Sequence, residues 1–183
     1  MKNNLLRGTL IIIIVLICLT SVVSAQNNKT SAPDESQVLT LSKGGLSIDY
    51  PSNWGYSEST SEYSIMAISK LDSIDASGVS QININFEKKP LEGDFVTFVN
   101  DTYNALQTDS SFELVSSGDV AISDRAAIEY IYISDDNGSE REHKAVWFEK
   151  GGQAYVMLYS APVDQFESNL YVFDYILSTI KIT

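Results

Sequence analysis

The sequence has almost none of the side chains that form disulfides, thiolate metal sites or zinc centres. Its only cysteine, Cys18, lies in an apolar run near the N terminus, and its only histidine is His143. A zinc enzyme needs several nitrogen or sulfur ligands, and residues 26–183 offer one. We therefore expect no metal, no cofactor and no disulfide, so that stability comes from packing alone.

The first 25 residues have the order of a secretory signal peptide. Lys2 and Arg7 precede an apolar run at 10–19, and the small residues at 23–25 resemble a cleavage site before Gln26. The alternative is an uncleaved anchor over residues 9–25, which is at the short limit for crossing ~30 Å of hydrocarbon. Both interpretations place residues 26–183 outside the cytoplasm, secreted or held at the membrane.

Basic residues are scarce. The chain has 12 basic and 24 acidic residues, a net charge of −12, and removal of Lys2 and Arg7 with the signal leaves −14. Such a charge repels phosphate backbones and anionic lipid surfaces, which excludes nucleic acid as an expected partner. It is also the charge of an ordinary soluble, acidic extracellular protein.

The remaining sequence predicts one domain after a polar tail. Residues 26–37 lack large apolar side chains and are typical of a flexible tail. Residues 38–183 show no repeat and no linker and have the length of a single domain. Periodicity predicts strands at 38–41, 46–50, 63–69, 81–86, 112–122, 126–134, 143–149 and 153–160, helices at 95–108 and from about 164, and a final edge strand at 180–182.

Turn and cap signals organise these elements into an α+β fold. Asp94 is a candidate N-cap for the first helix, and Asp164 with Glu167 suggests a capping box for the second. The pair Gly151-Gly152 and the loop at 135–138 predict hairpins. The order of strands, helix, strands and helix indicates an antiparallel sheet with helices packed on it.

Three kinds of feature are candidate sites. Trp54 with Tyr50 and Tyr56 could be an aromatic platform, although strand-end aromatics usually close a core edge. Residues 135–140 could hold calcium, but the acids are adjacent and Val146 occupies the twelfth position, so a hairpin turn is favoured. Three sequons begin at Asn28, Asn100 and Asn137; we predict that Asn28 and Asn137 are the accessible glycosylation candidates, since Asn100 falls in a helix.

Several segments together resemble the PsbP-like family, of the exported prokaryotic type. They are the opening strand and Y-P-x-x-W turn at 45–54, the central strand at 82–86, the aromatic strand at 155–161, and the closing helix and short strand at 166–182. The resemblance implies an α/β/α sandwich around an antiparallel sheet. Members of the family range from photosystem stabilisers to a nuclear-import factor, and no metal-binding or partner-binding residue carries over to this chain.

These observations favour an exported, non-enzymatic accessory protein that binds an envelope or extracellular partner. Residues 26–183 contain neither a G-x-S-x-G nucleophile elbow nor a cysteine, so a hydrolase triad has no supporting motif. The alternative is a small extracellular hydrolase that uses a carboxylate pair or the region of Glu142 and His143. A third interpretation is a structural, glycosylated envelope component. The partner is not encoded in any motif.

Overall fold

A computed structural model describes residues 38–58, 62–135 and 138–183. The predicted signal peptide at 1–25, the tail at 26–37, and the sequons at Asn28 and Asn137 lie outside the described residues. Neither α-helix of the described ranges is long and apolar enough to cross a membrane.

Within these ranges, ten strands and two α-helices form, in the order that the hydrophobic periodicity predicts. Most predicted elements appear within a few residues of their expected positions, and a four-residue strand beginning at Trp54 was not predicted. The elements are β1 (Val38–Lys43), β2 (Leu46–Pro51), β3 (Trp54–Ser57), β4 (Ser64–Lys70), β5 (Asn83–Pro90), α1 (Phe95–Leu106), β6 (Glu113–Ile122), β7 (Arg125–Asp135), β8 (Glu140–Lys150), β9 (Gln153–Pro162), α2 (Phe166–Thr179) and β10 (Lys181–Ile182).

The strands form two antiparallel sheets. The large sheet has the order β3-β4-β5-β9-β8-β7-β6, so the predicted meander from β6 to β9 is confirmed. Gly151 and Gly152 join β8 to β9 with φ of +58° and +70°, values that glycine adopts at little cost. A smaller sheet has the order β1-β2-β10, because β10 returns to pair with β2.

A separate hydrophobic cluster covers each face of the large sheet, which confirms the α/β/α sandwich. Alternation along β8 sends Trp147 to one face and Phe148 to the other. On the first face, Val99 and Tyr103 of α1 pack in the same cluster as Trp147. On the second, α2 and the small sheet pack in the cluster that contains Phe148. We call the first the α1 face and the second the α2 face.

The two helices start differently. Asp94 caps α1 as predicted, since its carboxylate accepts a hydrogen bond from the Thr97 amide at 2.9 Å. The capping box predicted for α2 is wrong. A short 3₁₀ turn precedes that helix, its N-cap is Gln165, and this residue makes no side-chain capping bond within the described chain. The sequence pattern resembled a box because it does not reveal where the 3₁₀ turn ends.

Candidate functional site

A row of polar side chains crosses the α1 face of the large sheet. Ser69, Asn83, Ser160 and His143 come from β4, β5, β9 and β8, and each lies directly opposite the next in the strand register. We call these four residues the polar row. Asn83 is half-buried, whereas Ser69, Ser160 and His143 are at most 8% exposed. The row is therefore largely inside the protein.

His143 is held on both ring nitrogens. Its Nδ1 lies 2.7 Å from the Ser160 hydroxyl and its Nε2 lies 2.9 Å from the Ser134 hydroxyl. The ring also stacks on Tyr132 at 4.6 Å. A neutral imidazole has one donor and one acceptor nitrogen, so one serine accepts from the ring and the other donates to it. Both ring nitrogens therefore have a hydrogen-bond partner within the protein.

Burial sets the charge state of this histidine. Removal from water, with a smaller contribution from the charge of Arg141, lowers the pKa of His143 to about 3. A base with that pKa is too weak to take a proton efficiently from a substrate near neutral pH. The pair of Ser160 and His143 thus has the distance of a nucleophile and its base, but neither the exposure nor the basicity.

Glu142 does not join His143. The two residues are consecutive on β8, so their side chains leave opposite faces of the sheet. Alternation along β8 places Glu142 on the α2 face with Val146 and Phe148, where burial and the charge of Glu167 raise its pKa. This placement does not support a hydrolase centred on Glu142 and His143, because the two groups cannot meet on one substrate.

Arg141 lies at one end of the polar row and fastens the loop before β5. Its guanidinium donates to the side-chain oxygen of Gln81 at 3.2 Å and to the backbone carbonyl of the same residue. The Gln81 amide donates in turn to the carboxylate of Asp75 at 2.8 Å. Asp75 also accepts from the amides of Ser77 and Val79. These hydrogen bonds connect the segment at 75–81 to β8 through Arg141.

The aromatic group around Trp54 is part of the core. Trp54 is 2% exposed and Tyr50 is 7% exposed, so neither presents a ring to solvent. The Tyr56 hydroxyl donates to Glu58 at 2.8 Å and accepts from Lys43 at 3.3 Å. This confirms that the aromatics close the core edge, as expected for residues at strand ends.

The loop at 135–140 is a hairpin connection over the residues that are described. The Asp135 carboxylate accepts a hydrogen bond from the Gly138 amide, an arrangement typical of a turn. Asp136 and Asn137 lie outside the described residues. Across the described ranges, no group of three His, Cys, Asp or Glu side chains is placed to hold a metal ion. The third sequon residue, Asn100, is on α1 and accepts a hydrogen bond from the Tyr130 hydroxyl at 3.0 Å.

Strand β6 is one of the two edge strands of the large sheet, and β3 is the other. Strand β6 follows β7 at the end of the strand order, and nothing in the described chain pairs with its outer side. All of its residues are exposed except Val120 and Ile122. The periodicity predicted a strand here but not its place at an edge, because that position depends on where the other strands pair.

Solved structures with the same architecture define the class of fold. The chain resembles a solution structure of cyanobacterial PsbP (CyanoP) from Synechocystis sp. PCC 6803, with 15% identity, coverage of 87% of this chain and 98% of that one, and a TM-score of 0.57. It also resembles LpqN from Mycobacterium tuberculosis, described as involved in cell envelope biogenesis, with 16% identity, coverage of 80% and 91%, and a TM-score of 0.59. At these identities the likeness shows the fold.

The family follows from the sequence itself. A family model described as PsbP-like protein matches residues 8–182, nearly the whole chain. The chain belongs to the PsbP-like protein family, as the motifs at 45–54 and 82–86 suggested. No curated protein sequence is significantly similar to it.

Proposed function

We propose that this protein is an exported accessory protein, which binds a partner outside the cytoplasm and catalyses no reaction. The observation that carries the proposal is the state of His143. The one histidine of the chain is buried and bonded on both nitrogens, and its pKa is about 3. The side chain best suited to acid–base work thus serves the packing of the sheet.

The sequence supports export, and a protein of the same fold supports a role at the envelope. The order of charge, apolar run and small residues at 1–25 favours secretion, with residues 38–183 as the folded domain. LpqN, which shares the fold, is described as involved in cell envelope biogenesis. A role at the envelope is consistent with both, and a binding role is what the described surface offers in the absence of a catalytic constellation.

Export is tested by fractionating the native host and sequencing the N terminus of the recovered protein. We expect the protein outside the cytoplasm with Gln26 as its first residue. An intact N terminus in the membrane fraction would select the anchor over residues 9–25. Recovery from the cytoplasm alone would contradict the proposal.

Partner binding is tested with the full chain, tagged at its C terminus and expressed in its own host. After chemical crosslinking of intact cells, we expect one envelope or extracellular protein to be enriched over a tagged, exported control protein of similar charge. The purified partner should then bind the purified chain directly. Absence of any direct binder, or turnover of glycan, ester or peptide substrates that His143→Gln abolishes, would overturn the proposal.

A further inference from the structure

The β6 edge of the large sheet has the properties of a peptide-binding surface. From Ser116 to Ile122, β6 keeps regular pairing with β7, while a bulge interrupts the register between Leu114 and Ser116. The outer backbone N–H and C=O groups of an edge strand are free to pair with another chain. Seven residues in regular register are long enough for a typical added strand.

Both faces of this edge are accessible. Leu114 is 39% exposed and Val115 is 51% exposed, so two neighbouring apolar side chains lie on the rim of the sheet. Natural proteins usually protect an edge with lysine, proline or a covering element. β6 contains no lysine and no proline, and among the described residues no helix or loop covers it. Its protection consists of the bulge and of two exposed carboxylates, Glu113 and Asp119, which repel an acidic strand but not a basic one.

Charge identifies the occupant. Residues 109–135, which contain β6 and β7, carry six acidic side chains and one basic side chain, Arg125. Beside the start of β6, a cleft of about 400 Å³ is lined by Glu113, Asp135 and Glu140 together with polar and apolar groups. A strand with lysine or arginine side chains would complement this edge, whereas a second copy of a chain with net charge −12 would be repelled.

We propose that β6 binds an extended, basic segment of another protein by strand addition, with a lysine or arginine of that segment in the acidic cleft. Backbone pairing supplies the docking geometry, and the carboxylates of Glu113 and its neighbours select a cationic side chain. The inference rests on the proposed binding function and gives that function a surface and a partner chemistry.

The direct test measures the binding of a defined peptide to the protein recovered from its native host. The probe is a soluble peptide of alternating lysine and valine, matched in length to β6 and blocked at both ends; its control carries glutamate for lysine. We expect the lysine peptide to bind in fluorescence anisotropy at low salt and the glutamate peptide not to bind. Equal binding of the two peptides, or none by the lysine peptide, would overturn the proposal.

Hydrogen exchange locates the contact. Bound lysine peptide should slow amide exchange in β6 (Glu113–Ile122) and leave the opposite edge strand, β3 (Trp54–Ser57), unchanged. Binding without protection of β6 would mean a diffuse electrostatic contact and would contradict strand addition. Protection of β6 without peptide, accompanied by a dimer in sedimentation, would assign the edge to a second copy.

A matched pair of charge variants separates the edge from the overall charge. Glu113→Lys with Asp119→Lys reverses two exposed carboxylates of β6 and should lower the affinity for the lysine peptide roughly tenfold. Glu92→Lys with Asp164→Lys makes the same change in net charge at exposed positions outside β6 and should change it less than about threefold. If the reversal unfolds the protein, Glu113→Gln with Asp119→Asn replaces it.

The same variants distinguish the two proposals. If the crosslinked partner is lost with the β6 variant and kept with its control, both proposals stand. If the partner is kept by both variants, binding takes place elsewhere and only the edge proposal fails. If no partner is found at all, the accessory function itself fails.

Discussion

The imidazole of His143 lies between two serine hydroxyls on neighbouring strands, with Ser134 on β7 and Ser160 on β9. Each contact joins two strands through side chains, in addition to the backbone ladder. Because the ring is buried, its hydrogen bonds count for more than they would in water, and loss of one partner would leave a buried polar atom unpaired. At the residue scale, these groups act in holding the register of the sheet.

The buried histidine makes stability depend on pH in a defined window. The folded state holds the pKa of His143 near 3, whereas an unfolded chain binds a proton near pH 6.5. Below pH 6.5 the unfolded state therefore binds a proton that the folded state does not bind. The free energy of unfolding falls by about 1.4 kcal/mol per pH unit towards pH 3 as a result. Above pH 6.5 this contribution is constant.

His143→Gln removes this titration and leaves every carboxylate in place. We expect the free energy of unfolding of the wild-type protein to fall more steeply than that of the variant between pH 6.5 and 4, in denaturant titrations at each pH. At pH 7 to 8 the difference between the two proteins should be constant. Parallel curves over the whole range would contradict this, because they would show that His143 takes up its proton at the same pH in the folded and the unfolded state.

Trp54 supplies a second residue-scale prediction. The side chain is buried, and its Nε1 has no hydrogen-bond partner among the described residues. Trp54→Ala leaves a large cavity and should cost about 3–5 kcal/mol of unfolding free energy, whereas Trp54→Phe loses no hydrogen bond and should cost roughly 1–2 kcal/mol. Val96→Ala, at an exposed position on α1, is the control and should stay within about 0.5 kcal/mol. Equal costs for Trp54→Ala and the control would contradict core burial.

At the element scale, the two helices differ in how their first turns are satisfied. Asp94 accepts from the Thr97 amide at the start of α1, and these hydrogen bonds lower the pKa of its carboxyl. The α2 helix begins after a 3₁₀ turn, without a side-chain cap from Gln165. The first turn of α1 is therefore held by one side chain, and that of α2 by its packing, with Phe166 buried against Tyr159.

This difference predicts unequal effects of two acidic-to-alanine substitutions. Asp94→Ala removes the cap of α1 and should lower the melting temperature by roughly 2–4 °C at neutral pH. Glu167→Ala removes the residue that the sequence assigned to a capping box in α2 and should leave the melting temperature within about 1 °C. Thermal unfolding followed by circular dichroism measures both. A fall in melting temperature with Glu167→Ala as large as that with Asp94→Ala would show that Glu167 does cap α2.

The sequence predicted the elements whose signals are local. Alternation identified β5, the cap at Asp94 placed the start of α1, and the glycine pair at 151–152 placed a hairpin. It did not predict the second sheet, because Ile182 of β10 pairs with Leu46 of β2 from the other end of the domain. Such a pairing leaves no periodic trace in either segment. Strand β3 was not predicted, because its four residues, one of them glycine, are too few to show a period-2 alternation.

The polar row could not be predicted from the sequence, because it too depends on pairing between distant strands. Its members come from four strands and are brought together only by the order β4-β5-β9-β8. The one local signal was that Asn83 and Asn85 alternate with apolar residues along β5, which does not identify the residues beside them on neighbouring strands. His143 was noticed as the only histidine, but its burial and its two serine contacts depend on the register with β7 and β9.

At the scale of the whole molecule, the two hydrophobic clusters share their strands. The α1 cluster contains Trp147 and Val156, and the α2 cluster contains the next residue on each strand, Phe148 and Met157. Strands β8 and β9 therefore cannot leave one cluster without leaving the other. This arrangement favours a single cooperative domain over residues 38–183, in which neither helix layer unfolds alone.

The two tryptophans of the chain report on the two clusters separately, because Trp54 lies in the α2 cluster and Trp147 in the α1 cluster. Trp54→Phe leaves a probe on the α1 face, and Trp147→Phe leaves one on the α2 face. Trp147→Phe should be the less stable of the two variants, because it removes the hydrogen bond that the Trp147 indole donates to the Tyr103 hydroxyl at 3.0 Å.

Each variant is unfolded in denaturant and followed by tryptophan fluorescence and far-ultraviolet circular dichroism. We expect the two signals to superimpose within each variant, since both clusters lose their shared strands together. The two variants differ in stability and therefore in their unfolding midpoints, so the two signals are compared within each variant and not between variants. A fluorescence transition that precedes the dichroism transition in one variant alone would show that its cluster opens independently. The α1 and α2 layers would then be separate folding units.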